Sequence, residues 1–245
     1  ADNNWSTAAN WSGDNLPAST DAVIFDGTSV KNCTIDTNVN IAGFVIGSTY
    51  TGVVNFSNSI ITINTGNVDI YNALGHFEKG TSTVKFAGTG VQYFKFKYVT
   101  QLYNIENANV GGRVDFSSEI INAQKLICGP DSETRLPYTG TSDGVILSDL
   151  YINGTAGHLA KIRSLSDTVQ GKISVRGGQN ISYCQFTNIN ASWNSGNKIT
   201  ADSTCVDGGN NTNIEFITIP DNYSPDSTNN GNNAYLYGDT QVIDS

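Results

Sequence analysis

The chain has 245 residues and a formal net charge of −9, with 38% hydrophobic but only 14% charged residues. Its 13 Lys and Arg are scattered, which leaves no basic patch for nucleic acid, and no apolar run approaches the ~20 residues of a membrane-spanning helix. That length suits one elongated domain or two small ones, and the abundance of Gly, Asn, Ser and Thr favours turns over helices.

The chain opens Ala1-Asp2 and contains no Met, which reads as a mature secreted protein after loss of its signal peptide; the plain alternative is a trimmed chain. Asn10-Trp11-Ser12, Asn153-Gly154-Thr155 and Asn210-Asn211-Thr212 are acceptor sequons, of the kind that arise by chance in a chain rich in these residues. Residues 1–22 hold Trp5 and Trp11 among polar turns. Two tryptophans so near a terminus suit lids over the open end of a stacked structure, and a sugar-stacking platform is the functional alternative.

From Ala22 onward short runs alternate apolar with polar residues, as in Val54-Asn55-Phe56, Ile61-Thr62-Ile63, Val68-Asp69-Ile70, Val84-Lys85-Phe86 and Val114-Asp115-Phe116. Period-two alternation predicts strands with one buried face. Between them lies nothing long or periodic enough for a crossover helix. Gly52-x-Val54-x-Phe56-Ser57-x-x-Ile60-Ile61 returns as Gly112-x-Val114-x-Phe116-Ser117-x-x-Ile120-Ile121, and at the same offset Gly80-Thr81-Ser82 returns as Gly140-Thr141-Ser142. A fixed offset predicts a solenoid, and this one is close to three coils. The fold class expected is therefore all-β, a right-handed parallel β-helix over 23–219 behind an N-terminal cap over 1–22. An antiparallel β-sandwich is the alternative.

Gly129 to Asp143 holds Pro130, Pro137, three acids and Arg135, and is expected to be a loop projecting from the stack. Strands resume at Val145, and Asn180 to Ile189 reads as one alternating run closed by Trp193. Residues 201–212 read as a polar turn before a last strand at Ile214. Residues 220–245 read as a polar linker and a terminal strand containing Tyr235, Tyr237 and Val242, which either caps the last coil or pairs with a neighbouring subunit.

Cys184 and Cys205 are separated by about one coil, and a disulfide between them is expected. Cys33 and Cys128 are too far apart along such a stack to bond each other, so they are buried thiols or pair with another chain. Trp5, Trp11, Cys33, Cys128, Tyr235, Tyr237 and Val242 are thus the expected subunit contacts.

The opening Asn10-Trp11-Ser12-Gly13-Asp14-x-x-Pro17-x-x-x-Asp21-x-x-x-Phe25 resembles that of secreted bacterial β-helix surface proteins of the autotransporter and haemagglutinin-like type. Thr83 to Gln92 resembles their strand, Gly-Thr-Gly turn and Gln, and Asp207 to Thr212 resembles the run that closes such domains. The resemblance implies a secreted rod, adhesin or surface-fibre subunit with no catalytic residues to transfer.

Gly140-Thr141-Ser142-Asp143-Gly144 matches a nucleophile elbow, but a strand rather than a helix follows, so no catalytic residue is assigned. His76 and His158 have no second ligand at metal spacing, and Asp202 with Asp207 fits no EF-hand, so neither a metal nor a cofactor is expected. The acids Asp69, Asp115, Glu119 and Asp149 read as spread singly. Lys161, Arg163, Lys172 and Arg176 form the densest basic stretch, which would meet an acidic glycan. The expected function is a non-catalytic extracellular fibre or adhesin subunit joining head to tail with copies of itself. A carbohydrate-binding or carbohydrate-cleaving β-helix, with Tyr93, Tyr103 and Tyr151 in its groove, and a phage or viral fibre are the alternatives.

Overall fold

The computed structural model describes residues 2–70, 75–96, 101–117, 120–139 and 143–218. It is a parallel β-solenoid. Among the described residues every pairing between strands is parallel, which replaces the antiparallel alternative; the antiparallel bridge from Thr155 to His158 closes a local turn.

The chain winds through three faces per coil. The first face is a nine-stranded sheet. Its strands are Ala22–Phe25, Gly43–Ile46, Val68–Ile70, Val91–Phe96, Arg113–Phe116, Glu133–Leu136, Ala160–Ser164, Cys184–Thr187 and Val206–Asp207. The second face begins with Cys33–Thr34, Val54–Asn55 and Phe77–Glu78. The third face begins with Val39–Ile41, Ile60–Ile63 and Thr83–Phe86. In the middle coils these last two faces fuse into the long strands Ile120–Cys128 and Gly144–Asn153, and they part again at Gly171–Val175 and Gln179–Ser182.

Alternation dictates this arrangement. In Val91–Phe96 every second residue is buried and its neighbours face out. The buried set stacks coil on coil into one core. Its N-terminal half is aromatic: Phe25, Phe44, Phe56 and Phe77 follow one another with ring centroids 4.6–5.7 Å apart. The later coils are filled by Leu126, Leu150, Ile152, Ile162 and Ile173.

The first-face strands begin at position 22 and, eight turns later, at position 206, so a coil averages about 23 residues, within the usual span of a solenoid repeat. The offset of the sequence repeat is therefore not three coils. Val54 lies on the second face and Val114 on the first. What repeats is a unit of strand, corner and strand, displaced by one face. The expected loop at 129–143 is also corrected, because Glu133–Leu136 is a full member of the first face. Pro130 and Pro137 lie just outside it, where no ladder hydrogen bond is lost. The run at 180–189 is three strands, turned at Tyr183 (φ 47°) and Asn188 (φ 61°). The expected turn at 201–212 contains the last rung of the first face. The tail positions Tyr235, Tyr237 and Val242, together with Glu119 and Gly140 to Ser142, lie outside the described residues.

Candidate functional site

Three consecutive coils each place a pair of charged residues on the outer side of the first face, with Asp115 alone of them covered from solvent. Arg113 and Asp115 flank buried Val114, Glu133 and Arg135 flank buried Thr134, and Lys161 and Arg163 flank buried Ile162. Register aligns them in two rows. One runs Val91, Arg113, Glu133, Lys161, Gln185; the other runs Tyr93, Asp115, Arg135, Arg163, Thr187. Neighbouring rungs lie ~4.8 Å apart, so every charge is within reach of the next.

The ion pairs form within the rungs. Arg113 Nε lies 3.1 Å from Asp115 Oδ1, and Arg135 Nε donates to Glu133 Oε1 at 2.5 Å. Arg163 reaches the exposed Asp167 at 3.8 Å and stands one rung from Arg135. Four cations face two carboxylates within the rungs and Asp167 beside them, which leaves the ladder with a small positive excess on a chain of net charge −9.

Asp115 is 4% exposed. Burial pushes its carboxyl above the ordinary aspartate range, and the nearby Arg113 and Arg135 only partly offset this, while Glu133 adds repulsion. Burial also works against the charge of Arg135, but the hydrogen bond and charge of Glu133 outweigh it and hold the guanidinium above its ordinary value. A groove of about 440 Å³ runs beside the ladder, between Val110, Asp131, Glu133, Leu159 and Lys161. His158 Nδ1 sits 2.7 Å from Asp131 Oδ2 at its rim. The guanidinium groups of Arg135 and Arg163 offer planar, paired donors to a carboxylate, a sulfate or sugar hydroxyls.

The other expected site residues fall elsewhere. Trp5 is buried at the N-terminal end of the stack, where its backbone N–H donates to Thr34 O at 2.8 Å. Trp11 is half-buried and donates its indole N–H to Trp5 O at 2.8 Å. Tyr93 belongs to the first face, but Tyr103 and Tyr151 lie on strands of the other sheet, so the three line no common groove. Tyr151 instead lies under the Lys125 ammonium, 4.3 Å from the ring centroid.

All four cysteines are free thiols, which corrects the expected Cys184–Cys205 bond. The rungs do align, since Gln185 faces Val206. Cys184 points into the core, however, while Cys205 Sγ turns to Asp202 Oδ1 at 3.5 Å and Ile181 O at 3.8 Å. Cys128 is fully buried, with Sγ 3.4 Å from Thr134 Oγ1, so it presents nothing to another subunit. Cys33 is half-buried.

Asp202 and Asp207 cap their own turns, through Thr204 N and Gly209 N respectively. Among the described residues no group of three His, Cys, Asp or Glu converges as a metal site, and no helix is long and apolar enough to cross a membrane.

The charged ladder is what sequence reading missed. Its members recur only once per coil and so look isolated along the chain. The signal was present as three charge-x-charge triplets, Arg113-x-Asp115, Glu133-x-Arg135 and Lys161-x-Arg163, each around a residue the fold buries. Comparison of the chain with protein-family models, with curated proteins and with solved structures returns no match.

Proposed function

We propose that this protein is a non-catalytic extracellular rod of the adhesin or surface-fibre kind, which meets acidic polysaccharide along its first face. A parallel β-solenoid is compatible with fibre, adhesin and polysaccharide-binding roles alike. The observation that favours a glycan is the ladder of Arg113/Asp115, Glu133/Arg135 and Lys161/Arg163 on consecutive rungs, positive against an acidic background. A rigid, evenly spaced ladder of charged groups suits an extended chain of repeating units better than a small molecule.

The test is retention on immobilised uronate-containing and sulfated polysaccharides. Binding that weakens with salt and is lost in Arg135→Ala/Arg163→Ala supports the reading. Absence of retention on every acidic polysaccharide, or retention unchanged in that variant, sinks it.

Head-to-tail assembly into a filament is the second reading, carried by the two ends. Trp5 and Trp11 cover one, whereas Ile214 and Phe216 in the last coil stay half-buried and Ile217 is 45% exposed. Electron microscopy of protein purified without reductant would show filaments, or isolated short rods that remove this reading.

A further inference from the structure

The cap carries a second feature that the ladder does not explain. Trp11 lines two hollows. One is a cavity of about 220 Å³, walled by Trp11 and Phe25 and edged by Asp2, Ser29, Lys31 and Asn32. The other is an open hollow of about 350 Å³, where Trp11 meets Leu16, Pro17 and Ile24, with Asp21 at its edge. Leu16 is 47% and Ile24 61% exposed, an unusual pair of bare aliphatic side chains beside a half-exposed indole.

The indole is held in place, and part of its surface lines both hollows. Its N–H is fixed on Trp5 O, and both Trp5 and Phe25 meet it at steep angles, 66° and 63°. Asp2 is fixed too: its carboxylate accepts from Asn4 N, Asn4 Nδ2, Thr7 Oγ1 and Asn10 Nδ2 at 3.0–3.3 Å, and these bonds hold its pKa below the ordinary range. A rigid aromatic wall with ordered polar groups at its rim matches a sugar ring, which has an apolar C–H face and a hydroxyl edge. Two hollows sharing one wall fit two consecutive rings. Asp21 borders one hollow, and Asp2 and Lys31 offset each other at the other, so the match is to neutral sugars rather than acidic ones.

We infer that the N-terminal cap is a binding site for a neutral oligosaccharide, centred on Trp11 and separate from the charged ladder. Trp11 covers the first coil and serves as the platform for the sugar. Leu16 and Ile24 receive the second ring, and the groups around Asp2 and Asn32 hydrogen-bond its neighbour.

The experiment is a tryptophan-emission titration of the full chain with neutral tri- and tetrasaccharides of glucose, galactose, mannose and N-acetylglucosamine. A saturable change with at least one of them is expected. Leu16→Ser/Ile24→Ser alters only exposed side chains and leaves the fold intact, and it is expected to weaken affinity by roughly tenfold, as loss of an apolar contact of this size implies. Trp11→Phe keeps an aromatic lid and loses a similar factor. Arg135→Ala/Arg163→Ala leaves this binding unchanged even where it abolishes retention on acidic polysaccharide, so the two sites fail independently. The inference is overturned if no oligosaccharide perturbs the emission. It is equally overturned if affinity survives both cap variants, or falls with the ladder variant instead.

Discussion

Asn109 donates through Nδ2 to Gln92 Oε1 at 2.9 Å, with both side chains wholly out of solvent at the corner where the third face turns into the first. Gln92 Nε2 in turn donates to Ile63 O and Gly66 O, and its Oε1 also accepts from Gly88 N. Asn109 N donates to Asn107 Oδ1, and Asn107 Nδ2 reaches Thr134 Oγ1 and Glu133 O. One buried network thus ties together consecutive coils. Corners of a solenoid leave backbone carbonyls pointing inward, and these amides satisfy them.

Removing one member strands the rest. Asn109→Ala leaves Gly90 O and Arg113 O without this donor, and it is expected to cost about 1–3 kcal/mol. Gln92→Leu removes donors to two carbonyls and an acceptor for Gly88 N at once, and costs more. Urea unfolding at constant m-value measures both. A loss below about 0.5 kcal/mol in each would mean that the carbonyls find other donors.

Two glycines separate backbone strain from crowding. Gly75 (φ 78°) has no described neighbour within 4 Å of where a Cβ would stand, so Gly75→Ala is expected to carry only the left-handed penalty, about 1–2 kcal/mol. Gly80 (φ 53°) would place its Cβ 1.7 Å from Ser57 O, and Gly80→Ala is expected to cost at least about twice as much or to prevent folding. Thermal melts of the two variants side by side decide the point. Equal losses would show that Ser57 moves aside freely.

The fold was legible because period-two alternation marks strands wherever they sit, and it correctly gave Ala22–Phe25, Thr83–Phe86 and Arg113–Phe116. Alternation does not mark corners. Asn180 to Ile189 keeps its rhythm while turning at Tyr183 and Asn188, so separate strands read as one. It says nothing of which face a strand joins either, which is how Val54 and Val114 come to look equivalent. The loop expected at 129–143 failed because its prolines outweighed the Thr134 and Leu136 alternation between them. The ladder lay hidden because it is a property of register, which follows from corner lengths that composition does not encode.

The cysteines make a chemical test of burial. Burial pushes Cys128 up to about 12, and Cys33 to about 12 with added repulsion from Asp36. Burial raises Cys205 to about 11, and Cys184 also lies well above the ordinary range. Thiolate is the reactive form, so at pH 8 the native protein is expected to resist iodoacetamide at all four, while the protein in guanidinium takes up four labels. Mass spectrometry reads both. Rapid native labelling at Cys128 or Cys184 would contradict the packing, and an intact mass lacking two hydrogens would reveal a disulfide.

Asp115 gives stability a pH dependence of definite sign. Burial raises its folded pKa above the ~3.9 of an unfolded aspartate. Between those two values the folded state holds more protons, so this group's contribution falls as pH rises through the window and stays unfavourable above it. Asp36 acts oppositely, because hydrogen bonds from Ser6 lower its pKa, and its contribution fades in acid. The wild-type curve alone therefore mixes both signs, and the difference from Asp115→Asn isolates one. That variant keeps the shape of the side chain and leaves Arg113 one rung from Glu133. It is expected to be more stable than wild type at neutral pH, with the advantage shrinking as pH falls through the window. Denaturant midpoints from pH 3 to pH 7 measure it, and an advantage that grows in acid, or a variant less stable at pH 7, would show that Arg113 and Arg135 outweigh burial.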